Sequence, residues 1–230
     1  PGAPKSGTSS MAAYLAAHPK VYISDPKEPN YFSRMKYTCG SRHLAQDHRT
    51  NLSKYQQLFS GANGEHAAIG EASTTYLMFP SALREIHTLC PDAKLIIMLR
   101  NPVDLVQAYH SELLFNGLET VPDFVSAWNL QTERASGYRI PRTCELPATL
   151  EYGDVGSLGT QMQAALDIFG GENVLPVFFD DLKINPRGAY LSALDFLRVE
   201  DDGRTDFPVI NANKTRPPSR ALLLVKRNGP

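Results

Sequence analysis

The stretch Ala93-Lys94-Leu95-Ile96-Ile97-Met98-Leu99 limits the fold more than any other part of the chain. A nearly continuous apolar run of this length reads as a strand buried on both faces. Such strands belong to parallel sheets covered by helices on each side. Shorter apolar runs at residues 20–24, 67–71 and 173–179 alternate with longer segments of helical period, the pattern of βαβ units. Met11, Tyr14, Leu15 and His18 share one face of a helix that starts after Gly7 and ends before Pro19. Further helices are expected at 51–60, 80–89, 102–115, around Phe124 to Gln131, at 158–169, and around Leu191, Leu194 and Leu197. Pro102 falls in the first turn of its helix, where a missing N–H is tolerated. Pro176 pushes the 173–179 strand toward a sheet edge. Residues 137–156 carry no period and read as a substrate lid or as an ordinary surface loop. Trp128, on an apolar stripe, reads as core.

Composition narrows the function classes. The chain has 230 residues, of which 42% are hydrophobic and 20% charged, and its formal net charge is -1. That is globular usage, not that of a disordered chain. A near-neutral chain is also no wholesale electrostatic binder of nucleic acid, so no nucleic-acid partner is expected. The longest apolar run, residues 11–17, is far short of the ~18 residues of a membrane span. Cys39, Cys90 and Cys144 are odd in number and lack CxxC spacing, which reads as free thiols in a reducing compartment or, as the alternative, one disulfide with one cysteine left over. The six histidines are scattered, and no zinc spacing or Ser/His/Asp arrangement occurs, so no metal is expected. The chain opens at Pro1 without an initiator Met or a signal-peptide pattern. The expectation is a piece cut at both ends from a cytoplasmic protein.

The opening carries the chemistry. Gly2 and Gly7 have the GxxxxG spacing of a phosphate loop, but Thr8 stands where an ATP-binding loop needs lysine, and the lysine lies inside the loop at Lys5. Such a loop still offers successive backbone N–H groups, backed by the positive end of the following helix. Ser6, Thr8, Ser9 and Ser10 add hydroxyls. Arg100-Asn101-Pro102 follows the strong strand and opens a helix, and its guanidinium suits a phosphate. Glu28, after the 20–24 strand, is a carboxylate at a strand's C-terminal end, where α/β proteins bind ligands.

These residues resemble a family. Pro4-Lys5-Ser6-Gly7-Thr8-Ser9-Ser10 is similar to the 5′-phosphosulfate loop (P-K-x-G-T-T/S) of sulfotransferases that use 3′-phosphoadenosine 5′-phosphosulfate, PAPS. Arg100-Asn101-Pro102 resembles their 3′-phosphate motif, Lys27-Glu28-Pro29-Asn30-Tyr31-Phe32 the segment carrying the catalytic glutamate of the carbohydrate-type members, and Phe179-Asp180-Asp181-Leu182 a late YEDL segment. The resemblance implies a P-loop-like α/β domain over residues 1–230, with a mostly parallel, five-stranded sheet whose first strand precedes Pro1. It implies sulfuryl transfer from PAPS to a hydroxyl or amine of a carbohydrate, lipid or small metabolite. Glu28 would be the general base and Lys5 would stabilise the leaving phosphate. Lys5, Ser6, Gly7, Thr8, Ser9, Ser10, Arg100, Ser111, Lys214 and Arg216 would bind the donor. Gly70-Glu71-Ala72-Ser73-Thr74-Thr75-Tyr76 resembles the family's G-E-K-S/T-P-x-Y stretch, which makes Glu71, Ser73 and Tyr76 candidates for orienting the acceptor.

Three departures stand out: Ala108 where the family has a phosphate-binding serine, for which Ser111 is the expected substitute, Leu105 where it has arginine, and Ala72 where it has lysine. Two other readings share the anion loop. A P-loop nucleotide kinase would need magnesium and turn over ATP. A non-catalytic nucleotide-binding module would bind the donor without transferring sulfate.

Overall fold

The computed structural model describes residues 2–33, 51–144 and 146–210. In chain order these form α1 (Thr8–Ala16), β1 (Val21–Ile23), α2 (Leu52–Gln57), β2 (Ala68–Gly70), α3 (Pro80–Leu89), β3 (Leu95–Leu99), α4 (Pro102–Asn116), α5 (Phe124–Asn129), α6 (Gln131–Ala135), α7 (Tyr152–Gly156), α8 (Leu158–Phe169), β4 (Val174–Phe178), α9 (Phe179–Ile184) and α10 (Pro186–Leu197). Short 3₁₀ turns lie at Thr74–Tyr76, Pro147–Leu150 and Gly171–Asn173.

The pleat of β3 divides the core. Leu95, Ile97 and Leu99 pack with Leu83 of α3, Leu105 of α4 and Ala165 and Phe169 of α8. Met98, with Ile96 beside it, joins Met11, Tyr14 and Leu15 of α1 and Tyr190 and Leu194 of α10 on the other side. Alternate side chains of one strand therefore enter two helical layers, as expected of a strand buried on both faces. β4 pairs with β3 in parallel, from Leu95 with Val174 to Leu99 with Phe178. Pro176 sits in β4, and Phe178 is exposed, consistent with an edge.

β1 pairs in parallel with β2, Val21 opposite Ala68. Among the described residues the sheet is thus four parallel strands in two pairs, where one five-stranded sheet was expected. The segment leading into the loop supplies a further rung: Gly2 bridges Met98 in parallel, and Ala3 N–H donates to the Met98 carbonyl at 2.9 Å. Gly2 is required there, because a Cβ would lie 2.9 Å from the Met98 backbone nitrogen. An apolar cavity of about 130 Å³, lined by Met11, Leu15, Val21, Ile23, Ile96 and Met98, lies between the two pairs.

Residues 146–156 are not the loose surface loop that the missing period allowed. They fold into the Pro147–Leu150 turn and α7, and Leu150, Tyr152 and Val155 are fully buried. A buried ion pair between α6 and the stretch after α4 anchors this segment through Tyr152. Arg134 Nη1 lies 2.8 Å from Glu119 Oε2, with both side chains 0% exposed. The Tyr152 hydroxyl donates to the same oxygen at 2.7 Å, and the Thr120 and Val121 N–H groups donate to Oε1. Burial alone would raise the Glu119 carboxyl, but the Val121 N–H, Arg134, Tyr152 and the Thr120 N–H outweigh it and hold it below the usual carboxylate range. Trp128 is 39% exposed against Phe124, not core. The buried face of α5 is taken by the neighbouring Ala127 instead. His110, near the Arg100 motif, is buried and bonded to the Val121 carbonyl at 2.9 Å, a structural role.

Among the described residues no helix is long and apolar enough to cross a membrane.

Candidate active site

The phosphate-type loop is built from strained backbone and tight packing. Lys5 and Gly7 take left-handed φ values of 61° and 82°. Gly7 N-caps α1 in that conformation, and a Cβ there would lie 2.7 Å from Leu182 Cδ2. Glycine is therefore required twice over, by backbone and by contact. The first bond into α1 runs from Met11 N–H to the Gly7 carbonyl at 3.1 Å. The earlier N–H groups of the turn have no intrahelical acceptor and form the positive end of the helix.

A cleft of about 630 Å³ opens on this loop, within the range of small-molecule sites. Lys5, Gly7, Thr8, Ser9 and Ser10 line it, together with Glu28 and Arg100. Residues from three separate segments of the chain thus line one cleft. Arg100, at the end of β3, donates from Nη1 to the Lys5 carbonyl at 3.0 Å, and its guanidinium lies 4.7 Å from the Phe179 ring centroid. It braces the loop through this carbonyl. Asn101 caps α4 through its side chain, which accepts from the Val103 and Asp104 N–H groups. Asp180 and Asp181 lie in the first turn of α9, with Phe178 at the cap position.

Glu28 stands in a tightly gripped turn. Its φ is 60° and that of Asn30 is 53°. Its N–H donates to the Ala72 carbonyl at 3.0 Å. The carboxylate accepts from Thr74 Oγ1 at 3.1 Å on one oxygen and from Lys27 Nζ at 2.6 Å on the other, and it remains 35% exposed.

Glu71, Ser73 and Tyr76 lie behind the cleft and do not line it. Ser73 and Tyr76 are 1% and 2% exposed. The Ser73 hydroxyl donates to Glu71 Oε2 at 2.7 Å and accepts from the Asn30 N–H at 3.0 Å. The Tyr55 hydroxyl donates to the other Glu71 oxygen at 3.3 Å. Burial pushes the Glu71 carboxyl up, with hydrogen bonds from Tyr76, Ser73 and Tyr55 opposing. Burial also pushes the Tyr55 and Tyr76 hydroxyls up, the Glu71 charge adding to it. These residues are the scaffold of the Glu28 turn. The neighbouring Thr74 and Thr75 reach the cleft instead.

Two other expectations end away from the cleft. The Ser6 side chain is 0% exposed and turned toward the Pro4 carbonyl, so only its backbone can serve an anion. Ser111 is exposed, does not line the cleft, and donates to the Gln107 carbonyl at 3.1 Å, the back-bond typical of a helical serine. Ala108 is buried. Lys214 and Arg216 lie outside the described residues. The chain before them crosses α1: Tyr14 OH donates to the Pro208 carbonyl at 2.9 Å, the Ile210 N–H reaches Ser10 Oγ at 3.3 Å, and Val209 and Ile210 line the cleft.

Sequence reasoning missed Glu112, whose Oε2 lies 3.2 Å from Lys5 Nζ. A signal existed. Tyr109, Glu112, Leu113 and Asn116 all line the cleft, and their spacing of three, four and seven marks one helical face that excludes Ser111. Cys144, Leu146 and Thr149 close the far wall. Among the described residues no cluster of three or more His, Cys, Asp or Glu side chains is placed to hold a metal ion.

Comparison with known proteins places this arrangement. The model of the Sulfotransferase family matches residues 1–203. A crystal structure of a sulfotransferase from Alicyclobacillus acidocaldarius superposes with a TM-score of 0.74 at 29% identity, covering 98% of this chain and 87% of that one. The bifunctional heparan sulfate N-deacetylase/N-sulfotransferase 1 of Caenorhabditis briggsae is 30% identical over 112 residues, 49% of this chain and 12% of that protein. The human heparan sulfate glucosamine 3-O-sulfotransferase 6 is 32% identical over 102 residues, 44% of this chain and 26% of that protein. The matches to curated relatives thus span a minor part of their length.

Proposed function

The chain belongs to the sulfotransferase family, and on that premise we propose that it moves a sulfuryl group from PAPS to an acceptor hydroxyl or amine. The observation that carries this reading is the meeting of Lys5, the α1 N-terminus, Arg100 and Glu28 on one cleft.

The chemistry divides among these groups. As the acceptor oxygen or nitrogen bonds to sulfur, Glu28 takes its proton. The bond from sulfur to the bridging phosphate oxygen breaks, and the electron pair stays on the 5′-phosphate. Lys5 and the N–H groups of the loop stabilise that charge without reorganising. Arg100, already fixed to the loop, presents its remaining donors to the 3′-phosphate. Thr74 and the Ala72 carbonyl keep Glu28 turned into the cleft. Lysine and helix N–H groups suffice for a leaving group with less charge than a triphosphate, so no step requires a metal. The carbohydrate substrates in the names of two relatives favour a sugar acceptor over a lipid or another small metabolite.

Thermal-shift titration with adenosine 3′,5′-bisphosphate, ATP and AMP tests the donor. A ligand at a hundred times its Kd adds about 2.7 kcal/mol of stability. Selective stabilisation by the bisphosphate is expected. Preference for ATP would overturn the reading in favour of a nucleotide kinase.

A further inference from the structure

Lys5 is not free. Its ammonium lies 3.2 Å from the carboxylate of Glu112, with the lysine side chain 16% exposed and the glutamate 42%. Glu112 projects from α4, whose axis is set by the Asn101 cap and by Leu105 and Leu113 in the core. The carboxylate is thereby tethered beside the loop, whatever the loop holds. We infer that Glu112 competes with the donor's 5′-phosphate for Lys5 and so sets how tightly the nucleotide is held.

Two effects act in the same direction. An arriving phosphate must first take Lys5 from Glu112, so apparent affinity falls by the fraction of molecules in which the lysine is already released. The displaced carboxylate then stays near the bound phosphate and repels it. Neither effect is large, because the pair is partly solvated and such pairs bind weakly. Together they correspond to about a three- to tenfold loss of affinity. The consequence suits a transferase whose product keeps both of its phosphates and must still leave. This inference rests on the reading of the Lys5 loop as the 5′-phosphate site.

Calorimetric titration of wild type, Glu112→Gln, Lys5→Ala and the double variant with adenosine 3′,5′-bisphosphate tests it, alongside adenosine 3′-phosphate, which lacks the 5′ group. Glu112→Gln should bind the bisphosphate about three- to tenfold more tightly and adenosine 3′-phosphate unchanged. The gain should shrink as salt screens the carboxylate, and shrink again in the Lys5→Ala background. Glu112→Ala should act in the same direction, which separates charge from side-chain shape. If Lys5→Ala weakens bisphosphate binding while Glu112→Gln leaves it unchanged or weaker, the competition is refuted and Glu112 merely props the lysine. If neither substitution alters bisphosphate binding, the loop reading itself fails and the inference falls with it.

Discussion

Replacing Glu28 by glutamine removes one capacity, proton acceptance, and little else. The backbone bond from residue 28 to the Ala72 carbonyl persists, and glutamine tolerates a φ of 60° no worse than glutamate does. The amide oxygen can still accept from Thr74, which lies 3.1 Å from the carboxylate. One contact is lost: the amide nitrogen would face Lys27 Nζ, now 2.6 Å from the other oxygen, and two donors repel. Lys27 is 31% exposed and Glu28 35%, so the lysine can turn to water at a cost of about 0–1 kcal/mol. For a domain of this size that lowers Tm by at most ~4 °C. Turnover, by contrast, should fall by about 10²–10⁴, the usual worth of a general base. Product formation is followed as adenosine 3′,5′-bisphosphate released per enzyme, and nucleotide affinity by calorimetry. Turnover near wild type in the folded variant would refute the assignment. So would a loss of turnover matched by an equal loss of nucleotide affinity, because residue 28 would then be shaping the cleft instead of accepting the proton.

Other outcomes follow from the same geometry. Lys5→Ala should cut turnover by about a hundredfold or more, since one preorganised charge at a leaving group is worth roughly 3 kcal/mol; near-normal rates in a folded protein would contradict the anion loop. Arg100→Ala removes the bond to the Lys5 carbonyl and the Phe179 contact, and should weaken binding of the bisphosphate by about tenfold or more, with a smaller loss for 5′-AMP; equal losses would leave Arg100 only a brace. Arg134→Leu would strand the Glu119 carboxylate where both side chains are 0% exposed, costing about 3–5 kcal/mol in chemical denaturation. In the wild type Glu119 titrates below its ordinary value, so its contribution is present above the unfolded carboxyl pKa of about 4.3 and is lost as pH falls through the lower folded value. An acid-unfolding midpoint that does not change on Arg134→Leu would show that the pair carries no such linkage.

Much of the frame was legible because it depends on neighbours in the chain. The apolar run at 93–99 dictates a strand covered on both sides, and the split of Leu95, Ile97 and Leu99 from Ile96 and Met98 between two cores is its direct consequence. Gly7, Asn101 and Pro102 mark the starts of α1 and α4 by local backbone chemistry. The residues that reach the cleft from these starts, Lys5, Thr8, Ser9, Ser10, Arg100 and Glu28, could be named in advance. What the sequence left open was direction. Glu71 and Ser73 sit at the end of β2 beside Thr74 and Thr75, yet Glu71 and Ser73 are held in a buried scaffold with Tyr55 and Asn30, whereas Thr74 bonds Glu28 in the cleft and Thr75 lines the cleft while its hydroxyl donates to Asn30. That sorting follows from parallel pairing with β1, from a strand more than forty residues earlier, as the register Ile23 with Gly70 shows. Ser111 and Glu112 are adjacent in sequence, but only the rotation of α4 on the core decides that the glutamate meets Lys5, a partner 107 positions away (112 − 5). Local propensity and period determine which elements form. Contacts between residues distant in the chain determine which atoms of those elements share a site, because a side chain's facing is set by what its element packs against.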